Sequence, residues 1–168
     1  SIIITTSKIP KYPKIYYTKG INTKFSNIKL FVNKNIDSIK HCNKVDYILA
    51  TNEISKKYPE IILCNEKDYI IEGTSCNIFF IKKNKIFTPN INGYGVEGVM
   101  KNIIINILKR NGISTKTLNI KKTDVRNYDA AFFCNSIRKI WNIRSIGNTR
   151  YQNSDLVNQI KILIDENV

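Results

Sequence analysis

One short stretch decides how this sequence folds: Ile71-Glu72-Gly73-Thr74-Ser75-Cys76-Asn77. Apolar runs flank it at Tyr69–Ile71 and Asn77–Lys82, so it is typical of a turn between two strands. A carboxylate closes the first strand, and a glycine with small polar residues makes the turn. Two interpretations are open: an exposed glutamate on a surface turn, or a carboxylate at a sheet edge that keeps the nitrogen of a heterocyclic ligand protonated.

Further short strands are predicted on both sides of this turn. Asn77–Lys82 and Ile86–Thr88 are predicted to form a hairpin around Lys83-Asn84-Lys85. Runs of β-branched and aromatic residues predict the remaining strands, which are Ser1–Thr6, Lys29–Asn33, Glu60–Cys64, Thr115–Ile120, Ala130–Cys134 and Ile140–Ile146.

Helices interrupt the strands without a strict alternation. Apolar spacing and capping residues predict helices, which run from Asp37 or Ser38 to about Lys57, from Gly98 to Asn111, from Thr123 to Tyr128, and onward from Ser154. Lys8–Asn27, with two prolines and a glycine, is predicted to be an irregular linker. This order predicts one α+β domain with a mixed or closed β-sheet and flanking helices.

The charge of the chain is strongly basic, with 27 Lys+Arg against 13 Asp+Glu in 168 residues. A net charge of +14 is compatible with nucleic-acid binding. However, the lysines are scattered singly or in pairs, and no block of five like charges occurs. Ile, Asn and Lys are abundant throughout, so compositional bias explains the charge, and we do not expect nucleic acid to be a main partner.

The cysteines give no metal-binding pattern. None of the four forms a C-x-x-C pair, and His41 is the only histidine, so we expect no zinc site. We expect no secretory leader, because Ser1–Thr6 is too short and too β-branched for one, and no apolar run approaches about 18 residues. We therefore expect reduced thiols, a cytoplasmic location and no membrane span.

Two more segments carry candidate chemistry. In Ser38-Ile39-Lys40-His41-Cys42-Asn43, Lys40 is either an ordinary solvated lysine or an amine directed into a cleft, where desolvation and the dipole of the following helix would make it nucleophilic. In Gly93-Tyr94-Gly95-Val96-Glu97-Gly98-Val99-Met100, a glycine-rich loop enters a helix, and free backbone N–H groups there favour an anion. Cys134-Asn135-Ser136 follows an apolar strand and supplies further donors for the same anion.

A lysine, a carboxylate and an anion cradle are the parts that an enzyme dependent on pyridoxal 5'-phosphate (PLP) needs. The three segments also resemble the motifs of fold-type IV PLP enzymes, in the same order and at the same separations. The resemblance is carried by K-H-C-N-K-V-D from Lys40, E-G-T-S-C-N-I-F from Glu72, and the loop from Tyr94 to Lys101.

The resemblance implies specific roles for these residues. Lys40 would be the lysine that binds PLP covalently and the catalytic base, and Glu72 would hold the ring nitrogen. The phosphate would be held by Val99, Met100, Asn135 and Ser136. The family also implies a homodimer, a small-molecule substrate, and a smaller N-terminal domain that this chain lacks, which would make 1–168 the C-terminal PLP-binding domain and 1–35 strands and the interdomain linker region.

Within the family, the sequence is most similar to the aminodeoxychorismate lyases of folate biosynthesis. The apolar strand that ends in Cys134-Asn135-Ser136 and the residue Met100 both resemble that group. Lys44 and Lys101 stand where arginine is usual, and a proline usual within Ile137–Ile143 is missing. Two alternatives remain: a class IV aminotransferase for D-amino or branched-chain amino acids, and a basic binding protein with a decayed PLP site.

Overall fold

A single mixed β-sheet organises the chain in the computed structural model, which describes residues 2–32, 40–91 and 93–167. The strands are β1 Ile21–Leu30, β2 Glu60–Asn65, β3 Ile70–Gly73, β4 Asn77–Lys82, β5 Lys85–Pro89, β6 Thr115–Leu118, β7 Ala130–Asn135, β8 Lys139–Ile146 and β9 Thr149–Arg150. The helices are α1 Lys14–Thr18, α2 Val45–Thr51, α3 Val99–Arg110 and α4 Asp155–Asn167, with a 3-10 helix at Lys122–Asn127.

The strand order in space is β3-β2-β1-β8-β7-β4-β5-β6, and β9 pairs with β8. β1 runs parallel to β2 and β8, and β5 runs parallel to β6, whereas the other pairs are antiparallel. The sheet curls until its β3 end meets the chain that follows β6. At this closure the Ile70 N–H donates to the Ile120 carbonyl at 2.8 Å, and Tyr69 forms a bridge with Lys121. The predicted α+β class with a mixed, closing sheet and flanking helices is confirmed.

Both faces of the sheet are buried, which is why β2, β4 and β7 are apolar along almost their whole length. One face packs on α3 and α4, where the stacked rings of Phe79 and Phe132 lie 5.0 Å apart. The other face contains the buried Trp141, against which Tyr12 and Tyr16 pack edge-on. The predicted strands between residues 60 and 146 are confirmed within one or two residues at most of their ends.

The first part of the chain corrects three predictions. Residues 2–6, predicted as a strand, are in no strand, and Ile2, Ile3 and Ile4 are 85–91 % exposed. β-branched residues favour a strand only when a neighbouring strand supplies hydrogen bonds and packing, and no described strand lies beside them.

The predicted linker at Lys8–Asn27 instead contains α1 and most of β1, because the polar β1 is held from both sides by β2 and β8. Of the predicted strand Lys29–Asn33, only its first two residues lie in β1, and Asn33 lies outside the described residues.

The first predicted helix is also wrong in its bounds. It begins at Val45 and not near Lys40, and it ends at Thr51. The end is set by Glu53, whose carboxylate binds the Lys24 ammonium at 2.8 Å and the Ser26 hydroxyl at 2.6 Å and so draws the chain onto β1. The predicted caps Asp37 and Ser38 lie outside the described residues.

The two longer helices were predicted correctly. α3 follows Gly98 and buries Met100, Ile104 and Leu108, and α4 buries Val157, Ile160 and Ile164. Among residues 2–32, 40–91 and 93–167, no helix is long and apolar enough to cross a lipid bilayer.

Candidate active site

Glu72 is a buried carboxylate whose three protein partners are all neutral. Its side chain lies in β3 and is 4 % exposed. Oε1 accepts hydrogen bonds from the Tyr47 hydroxyl at 2.5 Å and from the Val96 N–H at 3.0 Å, and Oε2 accepts one from Asn77 Nδ2 at 2.9 Å. Burial raises the pKa of Glu72 to about 7, against the opposing effect of these bonds and of Lys44 and Lys101. A cation placed beside this carboxylate would therefore be strongly attracted.

The hydrogen bonds leave room for one more donor at Glu72. An ionised carboxylate offers about four acceptor positions. The described residues use three of them, two on Oε1 and one on Oε2. The remaining position on Oε2 can accept the N–H of a protonated heterocycle, which is the group that the sequence predicted for this residue.

Lys40 and Glu72 both act electrostatically on Lys44. Lys40 is exposed and precedes α2, and its positive charge and the Glu72 carboxylate both shift the pKa of Lys44. Burial lowers the pKa of Lys44, Glu72 raises it, and Lys40 lowers it further. Lys44 Nζ also lies 4.2 Å from the centre of the Tyr47 ring. Lys44 and Tyr47 thus connect the two residues that the sequence singled out.

The start of α3 meets Glu72 through a glycine-rich loop. A Cβ atom on Gly98 would lie 2.0 Å from Asn77 Oδ1, and one on Gly95 would lie 3.1 Å from Glu72 Cδ. Only glycine lets the loop approach so closely. Gly98 precedes α3 and no side chain caps the helix, so the amides of Val99 and Met100 are available to an anion.

Asn135 is the last residue of β7, and Ser136 begins the turn that follows it. Asn135 Nδ2 donates to the Ser75 carbonyl at 3.0 Å, and its Oδ1 accepts from the N–H groups of Ile137 and Arg138 at 3.0 and 2.7 Å. The Asn135 side chain therefore ties its own turn to the Thr74–Cys76 turn, and Ser136 is exposed beside it. Donors to an anion from this turn would come more readily from Ser136 than from the Asn135 amide.

Sequence reasoning missed three partners of Glu72, namely Tyr47, Asn77 and Val96. Asn77 and Val96 lie within the two motif segments, whereas no local signal marks Tyr47, which lies in α2. A cavity of about 140 Å³ adjoins the start of α2 and is lined by His41, Lys44 and Tyr47, among others. The described part of the chain contains no cluster of three or more His, Cys, Asp or Glu side chains suited to a metal ion.

The model of the family Amino-transferase class IV matches residues 1–146. The chain belongs to this family.

Curated relatives include both lyases and aminotransferases. The chain is 26 % identical over 137 residues to an aminodeoxychorismate lyase of Vibrio harveyi, covering 81 % of this chain and 51 % of the relative. It is 27 % identical over 110 residues to a probable branched-chain-amino-acid aminotransferase of Aquifex aeolicus, covering 65 % and 35 %. The chain thus spans about half, or less, of the length of these relatives.

Solved structures show the same fold. The 4-amino-4-deoxychorismate lyase of Pseudomonas aeruginosa matches with a TM-score of 0.93 at 20 % identity, over 98 % of this chain and 61 % of that chain. An aminotransferase of Brucella abortus bound to the cofactor PLP matches with a TM-score of 0.75 at 18 % identity, over 88 % and 54 %. Both likenesses confirm the architecture of the domain.

Proposed function

We propose that this chain is the PLP-binding part of an aminodeoxychorismate lyase, which converts 4-amino-4-deoxychorismate to 4-aminobenzoate and pyruvate. The observation that carries the proposal is the buried Glu72 carboxylate, which the Val96 N–H ties to the loop before the uncapped start of α3. The influence of both Lys40 and Glu72 on the pKa of Lys44 supports it. The sequence motifs and the Vibrio harveyi relative support the lyase among the members of the family.

The residues present fit PLP as the cofactor. Glu72 has one acceptor position left for the ring nitrogen. The free amides of Val99 and Met100, together with Ser136 and Asn135, suit the phosphate. Lys40 supplies the amine that binds the aldehyde. When bound, PLP supplies an electron-accepting ring next to the amine of the substrate.

Lys40 and Glu72 would have different roles in the reaction. The free amine of Lys40 would take the proton from the amine-bearing carbon of the substrate as general base. The C–O bond to the enolpyruvyl group would then break, and Lys40 would return the proton to the departing enolpyruvate, so that no net proton is consumed. Glu72 would keep the ring nitrogen protonated throughout, and Tyr47 would keep Glu72 in place.

The family resemblance extends the proposal beyond this chain. The complete protein would be a cytoplasmic homodimer that acts on a small-molecule substrate, and an N-terminal domain would complete the cleft.

The test uses the complete protein with PLP and follows cofactor absorbance and 4-aminobenzoate release. Lys40→Ala should abolish the shifted absorbance of lysine-bound PLP and lower turnover by at least about 10³-fold, because both the covalent link and the base are lost. Lys56→Ala, an exposed lysine outside the site, is the control and should behave as wild type. Full lyase turnover by Lys40→Ala would overturn the assignment.

The second candidate function is a class IV aminotransferase, which the Aquifex aeolicus relative favours. It would use the same cofactor residues. Conversion of PLP to pyridoxamine phosphate by an added amino acid, without 4-aminobenzoate formation, would select it. A protein that shows no cofactor colour and is retained on nucleic acid in a salt-dependent manner would instead be a basic binding protein.

A further inference from the structure

A second buried glutamate, Glu60, lies at the centre of a hydrogen-bond network that the proposed mechanism does not use. Its side chain is fully buried. Oε1 accepts from the N–H groups of Thr74 at 2.7 Å and Ile61 at 3.2 Å, and from the Thr74 hydroxyl. Oε2 accepts from the Ser75 hydroxyl at 2.8 Å and from Arg138 Nη1 at 2.5 Å. One carboxylate thus holds two successive residues of one turn.

Arg138 is itself fixed by its surroundings. Its side chain is 13 % exposed, and its guanidinium lies 4.9 Å from the centre of the Tyr12 ring and 4.5 Å from that of Trp141. A planar cation packed against two neighbouring aromatic rings has little freedom to turn. The Arg138–Glu60 pair therefore anchors the turn to β8 and to the segment before α1.

The turn held by Glu60 joins two residues of the candidate site. Glu72 lies at the end of β3 and Asn77 at the start of β4, and Asn77 Nδ2 donates both to Glu72 Oε2 at 2.9 Å and to the Val96 carbonyl at 3.0 Å. The Gly73 N–H closes the turn on the Cys76 carbonyl at 2.6 Å. Any shift of the turn would move Asn77 relative to Glu72. Asn135 is tied to the same turn through the Ser75 carbonyl.

We infer that Glu60 and Arg138 are positioning residues that fix the Gly73–Cys76 turn and thereby hold Asn77 against Glu72 in the geometry that receives the cofactor ring. They touch neither the substrate nor the cofactor in this inference. The part that concerns cofactor binding rests on the proposed PLP site. The coupling between Arg138 and Asn77 does not, because it can be measured without any cofactor.

Two variants test the inference. Arg138→Lys keeps the positive charge but loses the planar group that packs against the Tyr12 and Trp141 rings. The double variant Glu60→Gln/Arg138→Met removes both charges together, so neither is left buried without a partner. Glu53→Gln is the matched control, because Glu53 also accepts bonds from a lysine, a serine and a backbone N–H but holds β1 and not the Glu72 turn.

The first measurement needs no cofactor. Exchange of the Asn77 side-chain amide protons is followed by NMR, since both of its bonds should protect them. We expect exchange to be about tenfold faster in Arg138→Lys and in the double variant, and less than twofold faster in Glu53→Gln, because misplacement by about 1 Å breaks a hydrogen bond.

The second measurement is the Kd for PLP in the complete protein, which should rise about tenfold in the same two variants and stay within twofold in the control. Circular dichroism melts show which variants are folded. If a folded variant keeps both Asn77 protection and the Kd for PLP within twofold of wild type, the inference is wrong. If the wild type binds no PLP, the proposed function fails, while Asn77 exchange still decides the positioning role.

Discussion

Glu60 and Glu72 are two buried glutamates twelve residues apart in the sequence, and they are neutralised in opposite ways. Glu60 is paired with the Arg138 guanidinium at 2.5 Å, whereas the described donors to Glu72 are all neutral, and burial raises the pKa of Glu72 to about 7. Burying a charge is costly unless a partner compensates it. Glu60 therefore has a charged partner within the protein, whereas no described residue gives Glu72 a charged hydrogen-bond donor, as expected if Glu72 receives the proposed cofactor.

The largest expected effect is on the free energy of unfolding when Glu60 loses its charged partner. Arg138→Ala should lower the free energy of unfolding by about 3–5 kcal/mol, because it leaves the fully buried Glu60 carboxylate without its charge partner. Urea unfolding measures the change. Asp165→Asn, which breaks the exposed Lys139–Asp165 pair, should cost less than about 1 kcal/mol. Equal losses in the two variants would show that the buried Arg138–Glu60 pair contributes no more than an exposed pair, and that Glu60 does not depend on a charged partner.

The second effect concerns the pH dependence of stability. The pKa of Glu72 is about 7 in the folded chain and 4.5 ordinarily, so between these values the folded state binds more protons than the unfolded state. Stability from this group is therefore highest below about pH 4.5 and falls as the pH rises to about 7, by about 3 kcal/mol. In Glu72→Gln this fall should disappear.

Urea unfolding between pH 4.5 and 8 without PLP measures this fall. Glu53→Gln is a suitable control, because hydrogen bonds from Lys24, Ser26 and the Asn27 N–H outweigh burial and lower the pKa of Glu53. A group with a lowered pKa loses its stabilising effect only as the pH falls below its ordinary value. Its variant should therefore keep the fall between pH 4.5 and 7. An unchanged slope in Glu72→Gln would show that Glu72 is not the titrating group.

The smallest effect tests how Tyr47 holds the Glu72 carboxylate. Tyr47→Phe removes the hydroxyl donor to Oε1, and a hydrogen bond to a charged group contributes about 1.5–3 kcal/mol. The pKa of Glu72 should therefore rise further, by roughly one unit or more, in a carbon-13 NMR titration of its carboxyl group. Tyr94→Phe, whose hydroxyl binds the exposed Glu66, should leave it unchanged. A constant pKa in Tyr47→Phe would contradict the contact.

The strands between residues 60 and 146 could be predicted because burial on both faces makes their sequences continuous apolar runs. The first part of the chain could not. β1 is polar and is a strand only because β2 and β8 hold it from both sides, and α2 is shortened by the contacts of Glu53 with Lys24 and Ser26. Such contacts between distant segments leave no local signal.

The candidate site, too, could be predicted from the sequence only in part. The Glu72 turn and the glycine-rich loop were visible as motifs, since each is one continuous segment with unusual residues. Glu60 was not recognised, because in sequence it is merely the first residue of an apolar strand. Its importance depends on Arg138, 78 residues later, which only the pairing of the sheet brings to it.

The most direct test of the site is to identify the lysine that carries the cofactor. The complete protein is loaded with PLP and reduced with borohydride, and its peptides are analysed by mass spectrometry. The pyridoxyl group should be found on Lys40, and Glu72→Gln should lower the extent of labelling without moving it. Labelling of Lys44, Lys101 or another lysine while Lys40 stays unmodified would contradict the proposed site.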